Sequence, residues 1–526
     1  MLVAAVSRLP NANIVPIPRH LLICLAPPSR VEMAMDLSRV NAMNAFDKLE
    51  DFIAELEKRG ELKRISAEID PVLEITEVAD RSVKAGGPAL LFENPTGSRF
   101  PVAINLFASQ ERMALALGVE RLEEIGERIT DLINPKVPSG FIEKLAMLPK
   151  LKELLELGPK VVKRAPCQEV VLQGEDIDLG ALPIQKCWPD DGGRFVTLPM
   201  VFTRSPESGK RNIGMYRMQI FDERTTGMHW HPPKGGAAHY IEAERRGERL
   251  EIAVSIGADP ATIYAATAPL PDGLDELIFS GFLRRKPVEL VKCISVDLEV
   301  PAESQFVLEG YVEPFERRTE GPFGDHTGFY SLEEDFPVFH LTAITHKTDA
   351  VYPATIVGPP PMEDAWLGKA TERIFLPLLK MVVPEIVDIE LPVEGGFHNL
   401  AIVAIDKRYP GHARKVMHAL WGLGQMMVTK VIVVVDADCD VHNPRETLWK
   451  ALAHIDPERD IEFNLGPVDI LDHASRAFGY GSRVGVDATR KLPEEGFARR
   501  WPDELKMTPE VKRRIDEIWE SLDLDL

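Results

Sequence analysis

The chain has 526 residues, 45% hydrophobic and 27% charged, with a formal net charge of −21, as expected of a globular protein of roughly three domains. No basic cluster stands out, which excludes nucleic acid as a partner and stable electrostatic docking on anionic lipid, since both need concentrated Lys and Arg. Five cysteines, Cys24, Cys167, Cys187, Cys293 and Cys439, show no Cys-x-x-Cys spacing, which fits a reducing cytoplasm and no zinc site, and no apolar run is long enough to span a bilayer.

Residues 1–42 hold Pro10, Pro16, Pro18, Pro27 and Pro28, few acids and four arginines. A targeting peptide has this character. An upstream start codon, with Met43 as the functional start, is the preferred reading, and disorder is expected either way. Over 43–58, Phe46, Leu49, Ile53 and Leu56 recur at helical spacing, and Gly60 suits a C-cap. A mixed α/β stretch follows, with a short buried strand at 89–92. Residues 141–163, with Leu145, Leu148, Leu151 and Leu155, read as an amphipathic connector helix broken at Pro149. Packing against its own protein is favoured over a membrane-surface role.

Residues 165–345 read mostly as strands, at 169–173, 197–203, 216–222, 251–256 and 337–345. Turn signals such as Asp190-Asp-Gly-Gly193 and Pro206-Glu-Ser-Gly209 separate them, which suggests a barrel or sandwich. From 350 onward strands and helices alternate. Runs 400–405 and 428–435 are almost continuously apolar, as in a parallel sheet buried on both faces. Asn443-Pro-Arg-Glu446 opens a helix with an N-cap, Pro at the first position and an acid at the third. A final helix is expected over 508–522. The fold class is therefore α+β and multidomain: an α/β domain at 43–150, a β domain at 151–345 and a C-terminal α/β domain at 346–526.

Two stretches carry candidate chemistry. In 216–222 the side chains alternate, with Tyr216, Met218 and Ile220 on one face and Arg217, Gln219 and Phe221 on the other. A buried Arg needs an anionic partner, and Glu320 is a candidate; an edge-strand Arg reaching water is the alternative. Glu320-Gly-Pro-Phe-Gly-Asp325-His326-Thr327-Gly328 then places two carboxylates five residues apart on a backbone shaped by Gly and Pro. Such a backbone can aim both acids at a ligand, and acids in differing environments supply one proton donor and one charged partner. A tight turn with two solvated acids is the ordinary alternative. His326 is assigned a structural role, because consecutive strand residues point opposite ways. Asp436-Ala-Asp-Cys-Asp440 resembles the start of a calcium loop, but Val441 stands where Gly belongs and no Glu closes the loop. It is read as loop acids. The absence of a Walker loop or of Gly-x-Gly-x-x-Gly after a strand disfavours a nucleotide dehydrogenase.

Together these stretches resemble the UbiD family of decarboxylases, which use a prenylated flavin mononucleotide. The family pattern has an Asn five residues before an Arg, a Glu downstream, then Glu-Gly-Pro-(Phe/Tyr)-Gly-(Asp/Glu). Asn212, Arg217, Glu276 and Glu320 to Asp325 match it. Gly257-Ala-Asp-Pro-Ala261, Val291-Lys-Cys293, Leu308-Glu-Gly310 and Tyr409-Pro-Gly-His-Ala413 extend the resemblance from about Met43 to the C-terminus. The Asp-His-Thr-Gly ending is similar to the branch acting on 4-hydroxybenzoates that carry a polyprenyl chain.

The resemblance implies a split β-barrel of flavin-reductase type for 151–345. It implies Mn²⁺ or Mg²⁺ on Asn212 and Glu276, bridging the flavin phosphate, with K⁺ as a further cation; oxygen ligands suit such hard ions. Met215, Tyr216, Arg217, His229, Trp230, His231, Lys234 and Gly235 match its cofactor-contacting stretches. The chain departs from the family pattern at Lys234, where some members carry His, and at His229, where others carry Arg, so the third metal ligand stays open. His229 and His231 on one strand face could mimic a metal pair, but a transition-metal site there is disfavoured. Loss of CO₂ needs an electron sink that no side chain supplies; by resemblance the prenylated flavin provides it. Asp325 is then the proton donor, its protonated form favoured by a dry pocket and by Glu320. Arg217 pairs with Glu320 and holds the substrate carboxylate.

The implied activity is non-oxidative decarboxylation of 3-polyprenyl-4-hydroxybenzoate in ubiquinone biosynthesis. It would be carried out by a cytoplasmic homo-oligomer, peripheral to the inner membrane through transient contact, with a flavin prenyltransferase supplying the cofactor. Within the class the alternative is a decarboxylase or carboxylase of another aromatic or phenolic acid. Outside it stand an NAD(P)H flavin reductase and a non-catalytic flavoprotein scaffold.

Overall fold

The computed structural model describes residues 45–133, 157–231, 234–270, 273–522 and 524. The expected extension at 1–42 and most of the expected connector helix lie outside them. Where that helix was to continue, Lys160–Val162 is instead a strand, paired in parallel with Glu289–Lys292. Val161 and Val162 are β-branched and sit opposite Leu290 and Val291, a pairing that favours sheet over helix.

The first helix runs over Leu49–Lys58 and buries Leu49, Phe52, Ile53 and Leu56, the face its spacing predicts. Gly60 follows its end with φ +77°. The strands Leu62–Ile69, Ala89–Pro95 and Val102–Ile104 form a small mixed sheet completed by Tyr352–Ala354. A segment far along the chain thus closes the N-terminal sheet, which local sequence patterns cannot reveal.

The central sheet is antiparallel, in the order Thr225–Gly227, Glu334–His346, Phe306–Glu320, Leu250–Ile256, Pro199–Arg204 and Arg211–Met215. Val170–Gln173 pairs with the far half of Glu334–His346. The two end strands of this order do not pair with each other among the described residues, so no closed barrel forms. The helix Gly235–Arg246 covers the sheet with His239, Tyr240 and Ala243.

The expected strand at 216–222 breaks into pieces. Arg211–Met215 ends before Tyr216, and only Met218–Gln219 is strand, paired with Phe195–Val196. The Tyr216 ring folds back onto Gly214, where a Cβ would lie 2.3 Å from it. Arg217 leaves the ladder and turns toward the acids.

The C-terminal sheet orders Ile386–Glu390, Leu400–Ile405, Val431–Asp436, Tyr480–Asp487 and Ile461–Pro467. The three central strands are parallel and the two edges antiparallel. Leu400–Ile405 is buried almost throughout, as its apolar run predicts. Residue 428 belongs to the 3₁₀ turn Gly424–Val428, so the second run starts as a strand only at Val431. Asn443 caps Pro444–His454 by accepting from the Arg445 and Glu446 N–H groups. Thr508 caps Pro509–Ile518, which buries none of its residues. Among the described residues no helix is long and apolar enough to cross a membrane.

Candidate functional site

The strand Phe306–Glu320 delivers Glu320 at its end, and the chain then turns sharply. Gly321 has φ +103°, a region that favours glycine. Three contacts fix the turn. The Gly321 N–H donates to Gln219 Oε1 at 2.7 Å, the Gly324 N–H to Asp191 Oδ1 at 2.8 Å, and the Gly192 N–H to the Pro322 carbonyl at 2.7 Å. Asp191 also takes the Cys187 and Trp188 N–H groups on its other oxygen. The sequence marked Asp190-Asp-Gly-Gly193 only as a turn; its role as the cradle of the acidic loop appears only when the two loops meet.

Arg217 stands between the two acids. Its Nε donates to Glu320 Oε1 at 3.0 Å, its Nη1 to Asp325 Oδ2, and its Nη2 to Ser331 Oγ at 3.1 Å. Its guanidinium carbon lies 4.4 Å from the Phe323 ring centre. Glu320 is 1% exposed and Asp325 7%, so this is a buried charge cluster, and solvated acids are ruled out. His229 Nδ1 is 2.8 Å from the same Glu320 oxygen. Burial raises the Glu320 carboxyl, but the His229 hydrogen bond and the charges of His229 and Arg217 outweigh it, leaving it below the usual carboxylate range.

Two expectations are corrected here. His326 was assigned a structural role on strand alternation, but residues 326 and 327 form a turn. Its Nδ1 lies 2.9 Å from Asp325 Oδ1, and its backbone N–H donates to the same oxygen at 2.7 Å. Asp325 was expected to favour its protonated form. Burial does raise it, but His326 and Arg217 pull it far lower, so it rests as a carboxylate. Reciprocally, burial lowers His326 while Asp325 lifts it to about 9. The expectation failed because the His326 hydrogen bond and charge, with the charge of Arg217, outweigh burial.

A second patch adjoins this one along the chain. Asn212 Nδ2 donates weakly to the Tyr216 hydroxyl at 3.5 Å, and the Gly236 N–H donates to it at 3.3 Å. A Cβ on Gly235 would lie 1.9 Å from Asn212 Oδ1, so only glycine admits Asn212 there. Glu276 opens the helix Glu276–Arg284 and accepts from the Ile213 N–H next to Asn212. Its Oε2 is buried without a hydrogen-bond partner, and burial lifts its carboxyl to about 7. Trp230 Nε1 is likewise buried without a partner. Met215 packs against the core, and Lys234 is exposed at the start of its helix. His229 and His231 meet edge to face at 4.5 Å. His229 is engaged with Glu320, and burial, with His229 and Arg217, pushes His231 down to about 4. In the 436–440 stretch Asp436 ends the strand Val431–Asp436, and both Asp436 and Asp438 bind Arg490. Asp364, which the sequence reading passed over, is lifted by burial to about 7 within electrostatic reach of His326 and Asp325.

Models of the 3-octaprenyl-4-hydroxybenzoate carboxy-lyase match with its N-terminal domain at residues 53–129, its Rift-related domain at 160–360 and its C-terminal domain at 365–488. An uncharacterised protein of Archaeoglobus fulgidus is 53% identical over 91% of this chain and 99% of its own length. One of Aquifex aeolicus is 52% identical over the same shares. Among solved structures, the UbiD-class enzyme HmfF from Pelotomaculum thermopropionicum, in complex with FMN, is 31% identical, with a TM-score of 0.75 over 91% of this chain and 100% of that one. The vanillic acid decarboxylase of Sedimentibacter hydroxybenzoicus is 27% identical, with a TM-score of 0.79 over the same shares.

Proposed function

The chain belongs to the UbiD family of carboxy-lyases, and we propose that it removes CO₂ from 3-polyprenyl-4-hydroxybenzoate, giving 2-polyprenylphenol for ubiquinone biosynthesis, with prenylated flavin mononucleotide as cofactor. The observation that carries this reading is Arg217, buried and bridging Glu320 and Asp325. The second patch fits a flavin phosphate with a cation. The buried, unpartnered Glu276 Oε2 and the Asn212 oxygen beside Gly235 are hard ligands suited to Mn²⁺ or Mg²⁺. Met215, Tyr216, His229, Trp230, His231, Lys234 and Gly235 would border the flavin. The domain division at 150 and 345, a split barrel in the central domain, and the packing of the exposed helix Pro509–Ile518 on a neighbouring copy belong to the same proposal.

When bound, the prenylated flavin supplies the electron sink for CO₂ loss. Arg217 orients both acids and holds the substrate carboxylate. Glu320 keeps Arg217 and His229 in place. Asp325 takes a proton from His326 Nδ1 and passes it to the carbon that loses CO₂, so one proton replaces one CO₂. A second reading, a decarboxylase of a small phenolic acid, is favoured by the likeness to the vanillic acid decarboxylase.

The test is native mass spectrometry of the full chain co-expressed anaerobically with a flavin prenyltransferase, followed by turnover assays. Bound prenylated flavin, lost with metal in Asn212→Ala and Glu276→Ala, supports the cofactor reading. Folded protein that repeatedly carries no flavin overturns it. Turnover of unprenylated 4-hydroxybenzoates but not of prenylated ones moves the assignment to the second reading.

A further inference from the structure

We propose that His326, His398 and Asp469 form a second metal site, for a borderline first-row divalent cation such as Zn²⁺, Fe²⁺ or Co²⁺. The three come from separate segments: the turn after Asp325, the residues between the 3₁₀ turn Val393–Gly395 and the strand Leu400–Ile405, and the loop after Ile461–Pro467. Each offers one ligand atom, and these atoms lie within 4.8 Å of one another.

Hydrogen bonding fixes which ring atoms are free. His398 Nδ1 lies 2.6 Å from the Gly396 carbonyl oxygen. A carbonyl only accepts, so Nδ1 carries the hydrogen and the neutral ring has its lone pair on Nε2. His326 Nδ1 faces the Asp325 carboxylate at 2.9 Å in the same way. Both Nε2 atoms are buried and without hydrogen-bond partners among the described residues. A metal ion would take the Nε2 lone pair of each ring, displacing any proton held there, and would be bonded where the protein supplies His326 Nε2 with no hydrogen-bond partner among the described residues. Metal-binding imidazoles characteristically carry such an oxygen partner behind the ring.

The carboxylate completes the set. Asp469 Oδ1 takes the Leu471 N–H at 2.8 Å, and Oδ2 lies 3.4 Å from His398 Nε2. That separation matches the edge of a tetrahedron around a cation with ligands at about 2.1 Å. The Asp325 carboxylate behind His326 and the Asp469 carboxylate beside His398 bring negative charge to the site, so the surroundings favour a cation. Lys430 lines the adjoining cavity of about 270 Å³ but is bonded to Asp472 at 3.0 and 2.8 Å.

The other comparable cluster, Glu372, Glu390 and His442, shows what an already neutralised set looks like. Lys369 binds both glutamates there, Arg373 binds Glu372, and both His442 nitrogens face carboxylates. No such Lys or Arg contact reaches Asp469 among the described residues.

Two nitrogens and one oxygen favour a borderline cation over Mg²⁺ or Ca²⁺, unlike the oxygen set of Asn212 and Glu276. An ion here would tie the Asp325 loop to the C-terminal sheet and set the His326 ring that orients Asp325. This inference does not depend on the decarboxylase reading, and its test needs no turnover. Full-length protein carrying Glu276→Gln, which weakens the other proposed metal site, is stripped with chelator and titrated with Co²⁺ by calorimetry and visible absorption. One Co²⁺ should bind with the d–d bands of a nitrogen-ligated ion. His398→Gln and Asp469→Asn, each confirmed folded by circular dichroism, should weaken binding by at least about 10- to 100-fold, the range lost even for outer partners. Absence of Co²⁺ binding in the parent, or binding and spectra unchanged in both folded variants, would overturn the site.

Discussion

Replacing Arg217 by Met tests whether the acidic loop is held by a buried charge cluster. Methionine keeps an unbranched side chain against Phe323 but removes the cation. The side chains of Arg217, Glu320 and Asp325 are 10%, 0% and 10% exposed, so solvent screening is weak. Breaking a buried pair from one side costs about 3–5 kcal/mol. His229 and His326 remain bonded to the two carboxylates, which places the expected loss near the lower end, about 3 kcal/mol at neutral pH. The pH dependence follows from the sign of the shifts. Glu320 and Asp325 are both held below their ordinary values of 4.5 and 3.8. In the wild type their stabilisation is present above those values and lost as pH falls through the folded ones. In Arg217→Met burial is opposed only by the histidines, both acids move up, and they protonate as pH falls, which removes the buried charge. The gap between wild type and variant should therefore narrow below pH 4 or so. Guanidinium denaturation followed by circular dichroism at both pH values measures it. Equal stability at neutral pH, or a gap that widens on acidification, would refute the reasoning.

Three other substitutions probe separate parts of the argument. Asp325→Asn should lower the decarboxylation rate by at least about 100-fold while flavin content by native mass spectrometry stays unchanged; wild-type turnover would remove Asp325 from the chemistry. Gly235→Ala would place a Cβ 1.9 Å from Asn212 Oδ1, so flavin and Mn²⁺ occupancy, read by absorbance and elemental analysis, should fall by about 10-fold or more; full occupancy would separate Asn212 from the cofactor. His442 is lifted from 6.5 to about 9 by its bonds to Asp388 and Glu390. Its stabilisation is thus fully present below about pH 6.5 and lost as pH rises through about 9. His442→Gln should melt lower than wild type at pH 6 and at the same temperature above pH 9, and a constant difference in melting temperature across that range would contradict the pairing.

What the sequence disclosed depended on how local the cause was. The first helix, the Asn443 cap and the buried Leu400–Ile405 strand follow from spacing and capping within a few residues. Arg217, Glu320 and Asp325 stood out from the residues themselves, whereas Asn212 and Glu276 joined them only through the family resemblance. The parts that were missed come from contacts between distant segments. Asp191 looks like a turn residue until the Gly324 N–H, 133 residues away, donates to it. Tyr352–Ala354 looks like the start of the last domain until it pairs with Val102–Ile104.

Asp325 departs most from expectation: a dry pocket and Glu320 were expected to favour its protonated form, but its neighbours hold it below the usual carboxylate range. Two acids close together favour protonating one of them only if nothing positive lies between them. Arg217 donates to both, and His326 holds the remaining oxygen of Asp325. A carboxyl bound by cations on both oxygens does not store a proton at rest. On the proposed reaction the proton that replaces CO₂ would arrive during turnover, and His326 Nδ1, 2.9 Å from Asp325 Oδ1, would be its source. On that proposal the acid is the His326 ring and not the carboxyl that the sequence makes conspicuous.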